Sequence, residues 1–510
     1  MKSFKYIAII ISLALTSCYK DIGNYDYDQV EEITISGVES SYTAKMLVDV
    51  LQINPTLSSS LGDDVDFECF WGIYHATENR VDTISYERNL NYEVNVDAGT
   101  WYLLFAVKNK DSGYTKYLTS TLNVSTDFTR GWYALKDDGE NSDIDQYTTE
   151  DTIVPSLVLN NVYSNVNGKK MAGEAQMLNF LTSYKTYVTG ASSAANTRTL
   201  VALTNQDATF NYINNMETVR DFTTFSYAQP QSCKPQYIGF SVKLYCYLLI
   251  NAGKLRSIYT MALNSGVFGY EVARNDARDD YELSKYAITG RNIAFFYDEM
   301  SSSFVGYNYS SSKLINATAS AANQMPLLNT NKELLFLGMQ TLTGTTSVAF
   351  MKDKNEVSGA NRYLVLLSGN FNALTAKPQE ITADQKIYDG SLFTNSQDEE
   401  VIYFVSNKTE LWSRNLASGV ERLQFKSSDD QEITMVKHRK YSNAKEEPFN
   451  YNYLIVATSN SGNEYEVRFF SKTAGNLNET PDFIMKGDGR VKDVMYISPL
   501  LSESTYMQGY

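Results

Sequence analysis

The sequence predicts an all-β protein, a small N-terminal β-sandwich followed by a seven-bladed β-propeller. Three observations carry this reading. Residues 41–127 alternate apolar and polar at period two between polar turns. From Gly131 onward a strand–turn–strand unit recurs seven times. Tyrosine, which combines β propensity with a large amphipathic face, occurs 38 times while histidine occurs twice.

The chain opens with MKSFKYIAIIISLALTSC. Lys2 and Lys5 give a positive start, Tyr6 to Leu15 is an apolar run too short for a stable membrane span, and Thr16 and Ser17 precede Cys18. That is the layout of a secretory signal over residues 1–17. The Leu15-Thr16-Ser17-Cys18 ending resembles a bacterial lipobox, which makes Cys18 the expected lipid-attachment residue. Each buried CH₂ of an acyl chain contributes about 0.8 kcal/mol, so several chains hold a protein firmly at a membrane. An ordinary cleaved signal with a chance cysteine is the alternative. Removing 17 residues, two of them lysine, leaves 493 residues and moves the formal charge from −15 to −17.

Residues 18–40 read as a polar tether, rich in Tyr and Asp, leading into a first strand at Glu32–Ile35. The sandwich follows over 41–127. Val65, Phe67, Cys69, Trp71 and Ile73 fall on one face, as do Trp101, Leu103, Phe105 and Val107, with a KNKDSG turn at 108–113. Such alternation marks antiparallel sheets with one buried face. Trp71 resembles the inner-face tryptophan of immunoglobulin-like sandwiches, but the inter-sheet disulfide of antibody domains is missing.

The propeller is assigned to 131–510. Its units are read at 131–147, 199–213, 243–261, 292–308, 334–350, 401–416 and 451–470, with starts 42 to 68 residues apart. Each is an apolar strand, a polar turn and a second strand. Radial closure would protect the sheet edges that otherwise invite aggregation. A large irregular sandwich, or two in tandem, is the competing architecture.

Several sequence features together resemble the PKD-like lipoproteins of Bacteroidetes. They are Cys18-Tyr19-Lys20-Asp21-Ile22-Gly23-Asn24-Tyr25-Asp26-Tyr27, Leu51-Gln52-Ile53-Asn54-Pro55, Asn89-Leu90-Asn91-Tyr92, the Gly131-Trp132 entry and Gly487-Asp488-Gly489-Arg490-Val491. The resemblance implies an outer-membrane lipoprotein, on the cell surface or the periplasmic face, associated with SusC/SusD-type nutrient importers. A SusC/SusD-type transporter complex is then the expected partner, with a glycan or peptide as ligand. The family supplies no catalytic residues to carry over, and Cys18 alone transfers by position.

Composition narrows the chemistry. An acidic chain repels phosphates, which argues against nucleic acid as a partner. His75, in HATENR, is expected in a solvated loop, and His438, in Lys437-His438-Arg439-Lys440, in a basic surface run. The sequence has no GxSxG elbow, HExxH, CxxC pair, Walker loop or dinucleotide fingerprint. No cofactor, metal or catalytic residue is therefore assigned. Carboxylates are the remaining candidate catalysts, as in glycoside hydrolysis: Asp137, Asp138, Asp143 and Asp145, then Asp276, Asp279 and Asp280, then Asp298 with Glu299. Most fall in predicted turns, where a solvated carboxylate is the default. The run Asp138–Asp145 is also dense in oxygen ligands, but it lacks the glycine and terminal acid of an EF-hand loop. Cys233 and Cys246 flank one strand and either pair or stay as buried thiols; Cys69 is expected to pack as a small apolar residue. Aromatic residues at strand ends (Phe295–Tyr297, Tyr307, Tyr309, Trp412, Tyr451, Tyr453) serve either recognition or inter-blade packing.

The expected function is a non-enzymatic, membrane-anchored ligand-binding or accessory lipoprotein of an outer-membrane nutrient uptake system, with glycan as the leading ligand class. The alternatives are a carboxylate-dependent glycan hydrolase or lyase, and a structural subunit of a transporter complex.

Overall fold

The computed structural model describes residues 31–506 except 47, 63, 76–79, 190, 242, 262–265, 277–279, 291–292, 309–312, 341–345, 355–358 and 503–504. The signal segment, Cys18 and most of the tether lie outside the described residues, as do Asp279 and Tyr309. The chain divides into two compact units, one ending at Ser125 and the other beginning at Thr126. Among the described residues no helix is long and apolar enough to cross a membrane.

Among the described residues the first unit contains nine strands: β1 (Ile33–Ser36), β2 (Ser41–Lys45), β3 (Val50–Ile53), β4 (Thr56–Ser59), β5 (Phe67–His75), β6 (Asp82–Ser85), β7 (Leu90–Glu93), β8 (Gly99–Asn109) and β9 (Thr115–Ser125). A five-stranded sheet runs β2-β9-β8-β5-β6, and β1-β4 and β3-β7 form two short pairs. Ile33, Leu51, Ile53 and Leu90 of those pairs share one core with Cys69, Trp71, Leu103, Phe105 and Val107 of the large sheet. The short pairs therefore form the second layer of a sandwich. Trp71 is fully buried and stacks on Phe105 with ring centroids 4.1 Å apart, while its Nε1 donates to the Arg88 carbonyl at 3.2 Å. The period-two alternation arises because one face of the large sheet meets this core and the other meets water. His75 departs from the sequence expectation. It is the last residue of β5, opposite Trp101 in register and in edge contact with its indole at 5.2 Å.

Among the described residues the second unit holds seven larger sheets arranged as the blades of a ring, and a short additional pair, Lys472–Thr473 with Asn476–Leu477. Blade 2 is Ala175–Thr186, Ala195–Thr204, Ala208–Tyr212 and Thr218–Arg220, listed from its inner strand outward. Blade 3 is Pro235–Ser241, Cys246–Asn251 and Lys254–Tyr259; blade 4 runs from Leu283–Ile288 through Ala294–Asp298 and Ser303–Asn308 to Lys313–Asn316, with Ala273–Arg274 at its edge. Blade 5 begins at Lys332–Met339, blade 6 at Ser391–Asn395 and blade 7 at Gln431–Tyr441, each followed outward by three more strands. Blade 1 takes its inner strand from the far end of the sequence: Arg490–Ile497 pairs with Gly131–Asp137, which pairs in turn with Asn141–Thr148 and then Leu157–Leu159. The seven inner strands adjoin one another in sequence around the ring, and Arg490–Ile497 touches those of both blade 7 and blade 2.

Each blade is packed on both faces by its neighbours. One apolar cluster joins blades 7, 1 and 2, a second joins 2, 3 and 4, and others join 4 to 5, 5 to 6 and 6 to 7. Central strands are accordingly buried at every position, as in Cys246–Asn251, Ala294–Asp298 and Val401–Ser406. Six of the seven sequence units correspond to the second and third strands of a blade. The unit at 334–350 is one strand early, covering the inner strand Lys332–Met339 and the next strand Thr346–Asp353.

The Gly131-Trp132 pair sits at the closure. Gly131 has φ +144°, and a Cβ there would lie 2.4 Å from the Tyr147 carbonyl oxygen, so the position excludes a side chain. Trp132 is fully buried among Tyr451, Phe469 and Tyr496, with centroids 4.8, 4.6 and 5.1 Å away, and its Nε1 donates to the Ile153 carbonyl at 3.0 Å. It thus ties blade 7 to both ends of the closing sheet. The three described cysteines are free thiols, so Cys233 and Cys246 do not pair. Burial pushes the Cys246 thiol up to about 12, which leaves it a packing residue.

Candidate functional site

At the inner strands lies a cavity of about 440 Å³ whose wall draws on six blades, all but blade 3. Three lysines reach it from strands far apart in sequence: Lys285 from blade 4, Lys437 from blade 7 and Lys492 from blade 1. Gln176 and Thr434 add neutral polar groups, and Tyr286 and Phe393 add aromatic surface. Leu392 also lines the wall, 41% exposed and with φ +47°. A bulky residue rarely adopts that left-handed backbone, so the blade 6 entry holds its apolar side chain at the wall against local preference.

The electrostatics of this wall are governed by one buried carboxylate. Asp493 is fully buried, and its Oδ1 accepts from Lys437 Nζ at 2.6 Å, Arg439 Nη2 at 3.3 Å and its neighbour Val494 N at 2.7 Å, while Oδ2 accepts from Leu178 N at 2.8 Å. Burial still dominates at Lys437 and pushes its ammonium down to about 7, with Arg439 and Lys285 adding to the fall and Asp493 opposing it. Lys285 is accessible from the cavity yet surrounded by protein, and its pKa is lowered first by this burial and then by Lys492. The ammonium groups therefore repel one another across the cavity.

The sequence-nominated carboxylates lie elsewhere, and four of the eight described ones, Asp137, Asp143, Asp145 and Asp298, are buried rather than solvated in turns. Asp145 is fully buried and receives Lys136 Nζ at 2.8 Å, the Tyr465 hydroxyl at 2.7 Å and Asn161 N at 2.8 Å. Asp137 accepts both Nε and Nη2 of Arg490 at 3.0 and 2.6 Å. Asp298 is fully buried and bound by Arg274 Nη1 at 2.5 Å; Asp276 holds the other side of the same guanidinium. These ion pairs each lie within one blade, with the Tyr465 hydroxyl of blade 7 adding a cross-blade hydrogen bond to Asp145, the paired state in which buried charges are tolerated. Asp138 stays at a turn, and the Lys170 ammonium holds it down to about 2. Asp280 is exposed and pairs with Lys254. Glu299 is pushed up to about 7 by burial.

Asp137, Asp138 and Asp143 do come together, in a second cleft of about 230 Å³ between blades 1 and 7, with Asp488 on its far side. Asp137 Oδ2 and Asp143 Oδ2 are buried there without a hydrogen-bonding protein partner. No group of three or more His, Cys, Asp or Glu side chains among the described residues is arranged to hold a metal ion.

His438 also differs from expectation. It lies on the buried inner strand of blade 7 rather than at the surface, with Nε2 2.8 Å from Asn452 Oδ1. Burial lowers its pKa to about 4, which keeps the ring neutral. The aromatic candidates Phe295, Tyr297, Tyr307, Tyr451 and Tyr453 are buried between blades, so they pack rather than recognise. The axial lysines escape sequence reasoning because only the closed ring brings their three strands together: Lys285 is the single charge of Leu283–Ile288, whereas Lys437 and Lys492 stand beside other charged residues and are not distinguished from them by spacing.

A family model described as PKD-like matches residues 18–175, which takes in the first unit and the beginning of the ring. No curated protein matches the chain. Among solved structures, a quinonprotein alcohol dehydrogenase-like protein from Bacteroides thetaiotaomicron is similar at 14% identity and a TM-score of 0.46, covering 90% of this chain and 97% of that one. A chain from Bacteroides uniformis, provisionally assigned as a 6-phosphogluconolactonase, is similar at 11% identity and 0.37, covering 85% and 100%. A provisionally assigned TolB from Agrobacterium tumefaciens follows at 11% and 0.32, covering 55% and 93%. At these scores the likeness bears on neither activity nor ligand.

Proposed function

We propose that this protein is a lipid-anchored, non-enzymatic ligand-binding component of an outer-membrane nutrient uptake system, attached through Cys18 and holding a glycan at the axial cavity of its propeller. The observation that supports this most is the axial cavity itself, where polar and aromatic groups from five blades converge within the size range of small-molecule sites, about 300–1,000 Å³. The engagement of Asp137, Asp145 and Asp298 in buried ion pairs favours binding over hydrolysis, because a catalytic acid must be able to exchange its proton with substrate. The N-terminal sandwich serves as a spacer, and the anchor raises the local concentration of ligand beside a SusC/SusD-type importer.

Isothermal titration against a glycan panel, with chromatography of the same mixtures for products, tests the reading. Saturable binding without product formation is expected. Product that disappears on replacing Asp137 and Asp143 together would favour the hydrolase instead. Mass analysis of the mature protein checks the anchor, with an acylated Cys18 expected and an unmodified N-terminus counting against it.

A further inference from the structure

We infer that the axial cavity selects an anionic glycan, one bearing carboxylate or sulfate groups that the lysines of blades 1, 4 and 7 receive. This deepens the binding reading above and rests on it. Among the described residues that line the cavity, three are lysine and one, Glu174, is acidic, in a chain whose formal net charge is −15. Glu174 lies 4.0 Å from Arg490 Nη2 and is about half exposed, so it belongs to the rim. Behind the wall, Asp493 is shared between Lys437 and Arg439. The local balance is therefore positive inside a negative protein.

Positive charges brought together from three distant strands raise the energy of the folded ring unless something else is gained. An anion on the axis would relieve the Lys285–Lys492 and Lys285–Lys437 repulsions at once. Lysine is a compact point charge with three donors, suited to either carboxylate or sulfate. The saccharide part of the ligand has its own matches: Gln176 and Thr434 for hydroxyls, and Leu392 and Phe393 for ring faces.

The test titrates the full-length protein with oligogalacturonate, sulfated carrageenan oligosaccharide, neutral xylo-oligosaccharide and inorganic phosphate. At least one acidic saccharide should bind about tenfold or more tightly than the neutral one, and its affinity should fall as NaCl rises from about 0.05 to about 0.5 M. The carboxylate and sulfate arms tell which anion is read. Lys285→Gln/Lys492→Gln should abolish that preference while Lys285→Arg/Lys492→Arg keeps it; Lys437 is left in place to protect Asp493. Should the double Gln variant misfold, the salt dependence of the wild-type protein decides alone. Equal, salt-insensitive binding of acidic and neutral saccharides overturns the inference and leaves the binding reading standing. Phosphate binding as tightly as the saccharides overturns it too, since the cavity would then be a simple anion site. Binding of none of the saccharides overturns the proposed function itself.

Discussion

Truncating the chain after Gly489 removes the inner strand of blade 1 and leaves the inner strands of the other six blades intact. The strand contributes Val491, Val494, Met495, Tyr496 and Ile497, all fully buried. At about 1.5–3 kcal/mol each, their burial is worth roughly 8–15 kcal/mol. Polar losses add to this. Arg490 no longer bridges to Asp137, Trp132 loses the Tyr496 ring, and Lys437 and Arg439 lose the buried carboxylate of Asp493. The total matches or exceeds the ~5–15 kcal/mol by which native domains are stable. The truncated ring should therefore fail to close and should expose apolar inner edges. Urea unfolding followed by far-UV circular dichroism, alongside near-UV signals from buried aromatics, measures the outcome. The expected result is loss of the propeller's cooperative transition and of its near-UV signal, both partly restored by adding the peptide 490–506. A truncated protein with the same midpoint and near-UV spectrum as the full chain would refute the claim that this strand closes the ring.

Three further outcomes follow from the same coordinates. Trp71→Ala empties the centre of the sandwich, where the indole stacks on Phe105, and should cost about 3–5 kcal/mol, read as a fall in the urea midpoint of the first unit with the second unchanged. Arg274→Met strands the fully buried Asp298 and should cost about 3–5 kcal/mol, whereas Arg274→Met/Asp298→Leu should recover most of the loss; equal damage in single and double variants would contradict a buried ion pair. Lys437 carries a pH signature. Its folded pKa of about 7 lies below the unfolded value of 10.5, so between those values the unfolded chain binds the extra proton. Stability should rise with pH across that window by up to about 1.4 kcal/mol per pH unit, and the contribution that opposes folding is complete below about pH 7. Lys437→Met should remove this slope from urea midpoints measured between about pH 7 and pH 9.5, and identical slopes in the two proteins would count against the assignment.

The parts of the fold that were legible in sequence are those whose partners are local. In β5 and β8 one face is dry and the other wet, so Cys69, Trp71 and Ile73, and Leu103, Phe105 and Val107, mark the buried face by spacing alone. The blade hairpins were legible for a different reason. A strand such as Val401–Ser406 is covered by a blade on each side, and its continuous apolar run against a short polar turn is the trace of that. The same property misplaced the fifth unit, because the inner strand Lys332–Met339 is nearly as apolar as the strand that follows it. The pairing that closes the ring joins Tyr133 to Met495, and no local pattern records a contact of that separation.

Charged residues were misjudged wherever the compensating group is distant in sequence. Lys437-His438-Arg439-Lys440 has the composition of a solvated run, yet Asp493 and Asn452 allow its first three members to be buried. Asp145 reads as a turn residue until Lys136 and Tyr465 are placed around it. Burial of a charge is a property of the pair, and composition reports only one member.

The axis is where this rule leaves most room for function. Where a blade face meets another blade, a lone buried charge would lack both water and partner. Along an inner strand, one residue can face the axial cavity while the next enters the packing between blades. Lys285 and Tyr286 illustrate the division: the lysine is accessible from the cavity, whereas the tyrosine ring meets Phe336 edge-on at 5.5 Å and its hydroxyl donates to the Leu335 carbonyl at 3.0 Å. Substitution at the lysine changes what the cavity attracts, and substitution at the tyrosine changes whether blades 4 and 5 hold together. A propeller can thus alter its ligand through a few axial positions without touching the contacts that close it. The lysines at 285 and 492 are for that reason the positions at which binding and folding can be tested separately.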